Sequence, residues 1–164
     1  MSQRSEQVSL FAAFLAAGVE YVVVGGVAVN AHGFVRNTRD LDVFFRPTEE
    51  TAGAVFRALT ALGAALEDMN PTDLLSEDAH YQLNTEYGRI DLLCSIGEMS
   101  FDQAWRNRVD AEIDGVIVHF ISKEDLIENK RQVGRLIALA DVEELTRLPQ
   151  ATELRIPAEP AKDS

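Results

Sequence analysis

Two aspartates inside an apolar run constrain this chain more than any other feature. The segment from Val24 to Phe45 reads VGGVAVNAHGFVRNTRDLDVFF, and in it Asp40 and Asp42 flank Leu41 at the mouth of the run Leu41–Phe45. Residues i and i+2 of a strand project from one face, so on a strand these carboxylates stand side by side. Like charges so placed repel, and one has its pKa driven up unless a cation lies between them. A chain that keeps both must supply that cation or leave the strand end in water.

Asp91 interrupts a second apolar run, RIDLL, in the same way. If the two strands are neighbours, three carboxylates converge on one point. Such a cluster suits a hard divalent ion, Mg²⁺ (or Mn²⁺), completed by substrate phosphates. The plainer alternatives are solvated acids at a strand end and a local Arg89–Asp91 pair. Gly25 and Gly26 follow the apolar run Tyr21–Val24 and precede a short helix read over Val27–Ala31. Glycines at a strand-to-helix junction let the backbone approach a bulky anion and leave N–H groups to bind it, although a lone Gly-Gly is also a common turn. An anion-binding backbone and metal-binding carboxylates in one stretch together point to a metal–nucleoside triphosphate. The corresponding chemistry is metal-assisted phosphoryl or nucleotidyl transfer.

The rest of the chain reads as alternating short elements. A helix is expected over Ser5–Ala17, with Val8, Phe11, Ala12 and Leu15 on one face and a stop at Gly18. Tyr21–Val24 is short, β-branched and continuously apolar, as in a strand buried on both faces. Pro47-Thr-Glu-Glu50 opens a helix running to about Leu62-Gly63, with Val55, Leu59 and Leu62 on one face. Met69–Asp78 is polar and is read as a loop. Tyr81–Thr85 and Arg89–Cys94 form one hairpin, and Ala111–Ile113 and Val116–Phe120 form another around Asp114-Gly115. Ser100 and Ser122 each open a capping box. Helical patterning then runs from Leu126 to about Leu148, with a break at Gly134. The fold class is therefore α/β (α+β), a short mixed sheet carrying helices and a C-terminal helical segment. Residues 1–148 read as one domain and 149–164 as a frayed or disordered tail.

Composition narrows the partners. With 27 acidic and 15 basic residues among 164, the formal charge is −12. That disfavours extended nucleic acid and anionic membrane surfaces. Cys94 is the only cysteine, which suits a reducing cytoplasm, and no apolar run is long enough to span a membrane.

The order and spacing of these features carry a resemblance. An apolar strand, Gly-Gly, thirteen residues and then Asp-x-Asp between hydrophobes resembles the DNA-polymerase-β-like nucleotidyltransferase superfamily. GGVAVNAHGFVRNTRDLDVFF is similar to small bacterial members related to abortive-infection toxin nucleotidyltransferases. The resemblance covers roughly Val8 to Leu148. It implies the nucleotidyltransferase fold, an NTP substrate and transfer of a nucleoside monophosphate to a hydroxyl of RNA, protein or a small molecule. A tRNA end and an antitoxin protein are the partners such relatives suggest. It further implies that Gly25 and Gly26 hold the triphosphate, that Asp40 and Asp42 bind metal, and that Asp91 is the third carboxylate and helps deprotonate the acceptor. Lys130, Arg135 and Asp141 fit the C-terminal helical positions of the relatives, Lys130 and Arg135 as nucleotide contacts. Ile137 and Ala138 depart from the basic residue and aspartate that the relatives commonly carry there. A degenerate member that binds nucleotide or a protein partner without turnover is the alternative, and a purely structural cation site a third.

Other residues near the motif read as follows. Arg36 is either a phosphate or acceptor contact or a solvated loop charge, and Arg39 is read as the latter. His32 is expected in a structural hydrogen bond. His80, His119 and Cys94 lack metal-ligand spacing and are read as structural. Trp105 is read as core.

Overall fold

The hydrophobic pattern resolves into one six-stranded mixed sheet with strand order β3-β4-β2-β1-β6-β5. The computed structural model describes residues 2–35, 38, 40–76, 81–85, 88–134 and 136–157, with the side chains at 133, 136 and 137 excepted. The strands are β1 (Tyr21–Val24), β2 (Asp40–Phe45), β3 (Tyr81–Thr85), β4 (Gly88–Leu93), β5 (Val109–Ile113) and β6 (Val116–Phe120). The helices are α1 (Gln3–Ala17), α2 (Gly25–Ala31), α3 (Glu49–Ala61), α4 (Phe101–Asn107), α5 (Lys123–Val133) and α6 (Leu136–Arg147).

The strand pairings place the site. β1 runs antiparallel to β2 and parallel to β6, while β2 runs parallel to β4. β1 and β2 thus occupy the middle of the sheet, and all four residues of β1 are buried. This is why Tyr21–Val24 carries no polar residue. The two hairpins, β3–β4 and β5–β6, close the sheet at its edges.

Capping serines and threonines start the helices where the sequence signals them. Thr48, Ser100 and Ser122 each accept a backbone N–H from three residues downstream. Phe11 and Phe14 of α1 lie on Tyr21, with ring centroids 5.9 and 5.2 Å away. Phe101 of α4 meets Phe44 edge-on at 5.2 Å. Phe11, Phe14, Phe44, Phe45 and Phe120 are all buried, and each contributes roughly 2–3 kcal/mol by burial.

Several boundaries and faces differ from the sequence reading. The buried face of α1 is Gln7, Leu10, Phe11 and Phe14, while Leu15 is exposed. The expected face shares only Phe11 with it, because apolar residues surround this helix and its periodicity is weak. On α3, Val55 and Leu59 are buried as expected, but Leu62 is exposed just past the helix end. The expected loop over Met69–Asp78 contains a 3₁₀ turn, Pro71–Leu75, with Leu74 buried. The tail expectation differs for the residues up to Pro157. Leu154 and Ile156 are buried in the core, and Arg4 Nη1 donates to the Ile156 carbonyl at 3.0 Å. Residues 158–164 lie outside the described residues. Among the described residues, no helix is long and apolar enough to cross a membrane.

Candidate active site

The carboxylates gather through strand register. Asp42 of β2 stands opposite Asp91 of β4, and Asp40 stands opposite Arg89. By the alternation of side chains along a strand, all four project from one face. Antiparallel pairing also sets Val24 opposite Asp42, so the end of β1 delivers the glycines beside the second aspartate. On the β3 side, Gln82 and Asn84 are in register with Asp91 and Arg89 and continue the polar face to the sheet edge.

Gly25 is fixed twice over. Its φ is +67°, in the left-handed region, and a Cβ there would lie 2.1 Å from Asp42 Oδ2. A larger residue would push the carboxylate aside. The chain then enters α2, whose N-cap residue, Val24, makes no side-chain cap bond to the first turn.

Electrostatics follow from this crowding. Burial, a shared hydrogen bond with Asp91 and the charges of Asp91 and Asp40 push the Asp42 carboxyl up to about 7, against an opposing pull from Arg89. Arg89 bridges the group, with Nη2 3.2 Å from Asp40 Oδ2 and Nε 3.1 Å from Asp91 Oδ1. Asp91 Oδ1 and Arg89 Nε are both buried, yet neither makes a directed hydrogen bond.

Two of the three expected carboxylates therefore meet, and the third does not join them. Asp40, with a side chain 47% exposed, pairs with Arg89. Among the described residues, no three acidic, histidine or cysteine side chains stand close enough to enclose a metal ion. The sequence reading treated Arg89 as a local partner of Asp91 alone, and its second contact, with Asp40, depends on a register invisible in one strand's sequence. Gln82 and Asn84 were missed altogether, although the polar–apolar alternation of YQLNT signals a face shared with its neighbour.

The C-terminal residues behave differently. Lys130 Nζ of α5 lies 3.0 Å from Asp141 Oδ2 of α6, and both side chains are largely buried. This pair joins the two helices across the break at Gly134, the C-cap of α5. Ala138 is buried. Arg36, Arg39 and Arg135 lie outside the described residues, as does His80. His32 makes the expected structural bond, its Nε2–H donating to the Ile121 carbonyl at 2.8 Å. His119 contacts Asp110 and the ring of Trp105, and Cys94 is buried with its thiol donating to the Ser76 carbonyl at 3.5 Å. Trp105 is half-buried against the core, with Arg108 stacked on its ring at 3.7 Å.

Known structures share this arrangement of elements. The antibiotic-resistance factor ANT(2'')-Ia in solution matches with a TM-score of 0.55 at 17% identity, over 87% of this chain and 83% of that one. The lincosamide antibiotic adenylyltransferase LnuA in its lincomycin-bound form matches with a TM-score of 0.56 at 18% identity, over 83% of this chain and 91% of that one. ANT(2'')-Ia in complex with adenylyl-2''-tobramycin gives 0.56 at 15% identity, over 87% of each chain. At such identities the likeness is one of fold. Comparison with curated proteins gives no match. The family model described as nucleotidyl transferase of unknown function (DUF2204) matches residues 4–164, and the chain belongs to that family.

Proposed function

We propose that the protein transfers a nucleoside monophosphate from an NTP to a hydroxyl acceptor with the help of a divalent metal ion, Mg²⁺ or Mn²⁺. One observation carries this reading: Asp42 is pressed between Gly25 and Asp91, at the junction of a glycine turn and two parallel strands. A buried acid pair of this kind fits a hard dication. Asp91 Oδ1 is buried without a directed hydrogen bond, and burial and the neighbouring acids push the Asp42 carboxyl up to about 7. A cation would satisfy the first and ionise the second.

In this reading Asp42 and Asp91 would hold the ion, and Asp40, whose Oδ2 pairs with Arg89, would complete the set with its other oxygen. The bound ion supplies positive charge to the triphosphate and to the attacking oxygen. The backbone of Gly25 and Gly26 cradles the phosphates, and Lys130, Arg135 and Arg36 add nucleotide contacts. The acceptor oxygen bonds to the α-phosphorus, the bond from that phosphorus to the bridging oxygen breaks, and pyrophosphate leaves. Asp91 takes the acceptor's proton. The acidic balance of the chain and the lincomycin and tobramycin named with its structural neighbours favour a small-molecule hydroxyl over a polyanion. Incubation with each α-labelled NTP and Mg²⁺, offered small polyols, deacylated tRNA or protein, tests the reading. Label moving to an acceptor in wild type but not in Asp42→Asn supports it, and label staying in NTP with every acceptor counts against it.

A second reading, nucleotide binding without turnover, draws on the buried Ala138 and on the engagement of Lys130 with Asp141. It predicts NTP binding with no label transfer to any acceptor.

A further inference from the structure

We propose that Arg89 is the internal counter-cation of this site, and that a divalent ion must displace it from Asp91 in order to bind. The proposal rests on the metal-dependent reading above. Its basis is the array formed by register: three carboxylates and one guanidinium on a single face, with Arg89 reaching Asp40 on one side and Asp91 on the other. Without a cation between them these acids repel, and among the described residues Arg89 is the positive group paired with them.

The two anchors of Arg89 are unequal. The side chain of Asp91 is 8% exposed and that of Asp40 is 47% exposed. The buried contact is an approach of opposite charges without a directed hydrogen bond, since Arg89 Nε and Asp91 Oδ1 each lack one. It is electrostatic and undirected, which a smaller and more highly charged ion can outcompete. The Arg89 side chain is itself 41% exposed, although its Nε is buried, so it has water to move into. A dication seated on Asp42 and Asp91 with Arg89 still on Asp91 would bring like charges within a few ångströms. Exchange is the outcome that avoids this. Once released, Arg89 keeps only its exposed pairing with Asp40, of a kind that holds a side chain weakly.

The test is Mn²⁺ binding by the full chain without nucleotide at about pH 8, well above the usual carboxylate range, followed by electron paramagnetic resonance of the free ion. Arg89→Gln should bind Mn²⁺ about ten-fold more tightly than wild type, as expected when a competing charge is removed. Arg89→Lys, which keeps the charge but loses the fork, should fall between the two. Equal or weaker binding by Arg89→Gln with an unchanged melting temperature overturns the proposal. A measurement on wild type avoids any folding defect of the variants: the Arg89 Nε–H signal in a ¹⁵N-edited spectrum should shift as Mg²⁺ is added. A signal unmoved at saturating metal also overturns it. If neither wild type nor Arg89→Gln binds Mn²⁺, with or without ATP, the metal-dependent reading itself fails and takes this proposal with it. Wild-type binding that Arg89→Gln leaves unaltered removes the Arg89 proposal alone.

Discussion

Asp42 and Asp91 face each other across two parallel strands, and burial, hydrogen bonding with Asp91 and the charges of Asp91 and Asp40 raise the Asp42 carboxyl to about 7. A carboxyl whose folded pKa lies above its unfolded value binds more protons in the native state. Its contribution to stability is complete below about pH 4 and is lost as pH rises through about 7. In EDTA, the wild-type protein should therefore lose on the order of 1–2 kcal/mol across this window, after discounting for the partial exposure of the site. Asp42→Asn should flatten that slope. Thermal melts from pH 4 to 8 of both proteins check it, and parallel slopes would show that Asp42 does not titrate there.

Gly25 and Gly18 form a controlled pair. Both have left-handed φ, +67° and +72°, but only Gly25 has a neighbour where a Cβ would go. Gly18→Ala should cost about 1 kcal/mol, the penalty of the backbone conformation alone. Gly25→Ala should cost more and should also abolish NTP binding, because Asp42 must move. Equal melting temperatures and intact binding in Gly25→Ala would mean that the glycine turn holds nothing.

Lys130 and Asp141 join α5 to α6 in a nearly dry environment. Removing Lys130 takes a positive partner from the buried Asp141, so Lys130→Met should destabilise the fold, by at most about 3 kcal/mol. Denaturant unfolding reads this directly. Loss of nucleotide affinity with unchanged stability would instead assign Lys130 to the ligand alone.

His32 is buried, and burial holds its pKa below the ordinary 6.5. A histidine whose folded pKa is depressed contributes stability above the unfolded value and loses it as pH falls below about 6.5. His32→Ala should lower stability at pH 8 by about 2 kcal/mol, through a lost hydrogen bond and a cavity, and by less at pH 5. A constant difference between those pH values would show that the imidazole does not gain a proton on unfolding.

How far the sequence revealed these features depended on whether they were local. β1, the turn at Gly25 and the start of β2 follow from consecutive residues, since strand alternation and glycine chemistry act over a few positions. The meeting of Asp42 with Asp91 was legible only as a condition, because it requires β2 and β4 to be neighbours in a particular register. The Asp40–Arg89 pair needed that same register and was missed. α1 misled the face assignment because Val8 and Leu15 are as apolar as Leu10 and Phe14, and only packing against Tyr21 separates them. The burial of Leu154 and Ile156 is likewise a long-range event, anchored by Arg4 from the other end of the chain, in a proline-rich segment with no local periodicity.

The central claim is that a metal ion and a triphosphate meet at Asp42. Calorimetric titration of each NTP into wild type and Asp42→Asn, with Mg²⁺ and again with EDTA, tests it most directly. The account predicts binding of at least one NTP that requires Mg²⁺ and is weakened at least about ten-fold in Asp42→Asn. Binding indifferent to both metal and mutation, or no binding of any NTP by the folded wild-type protein, would contradict it.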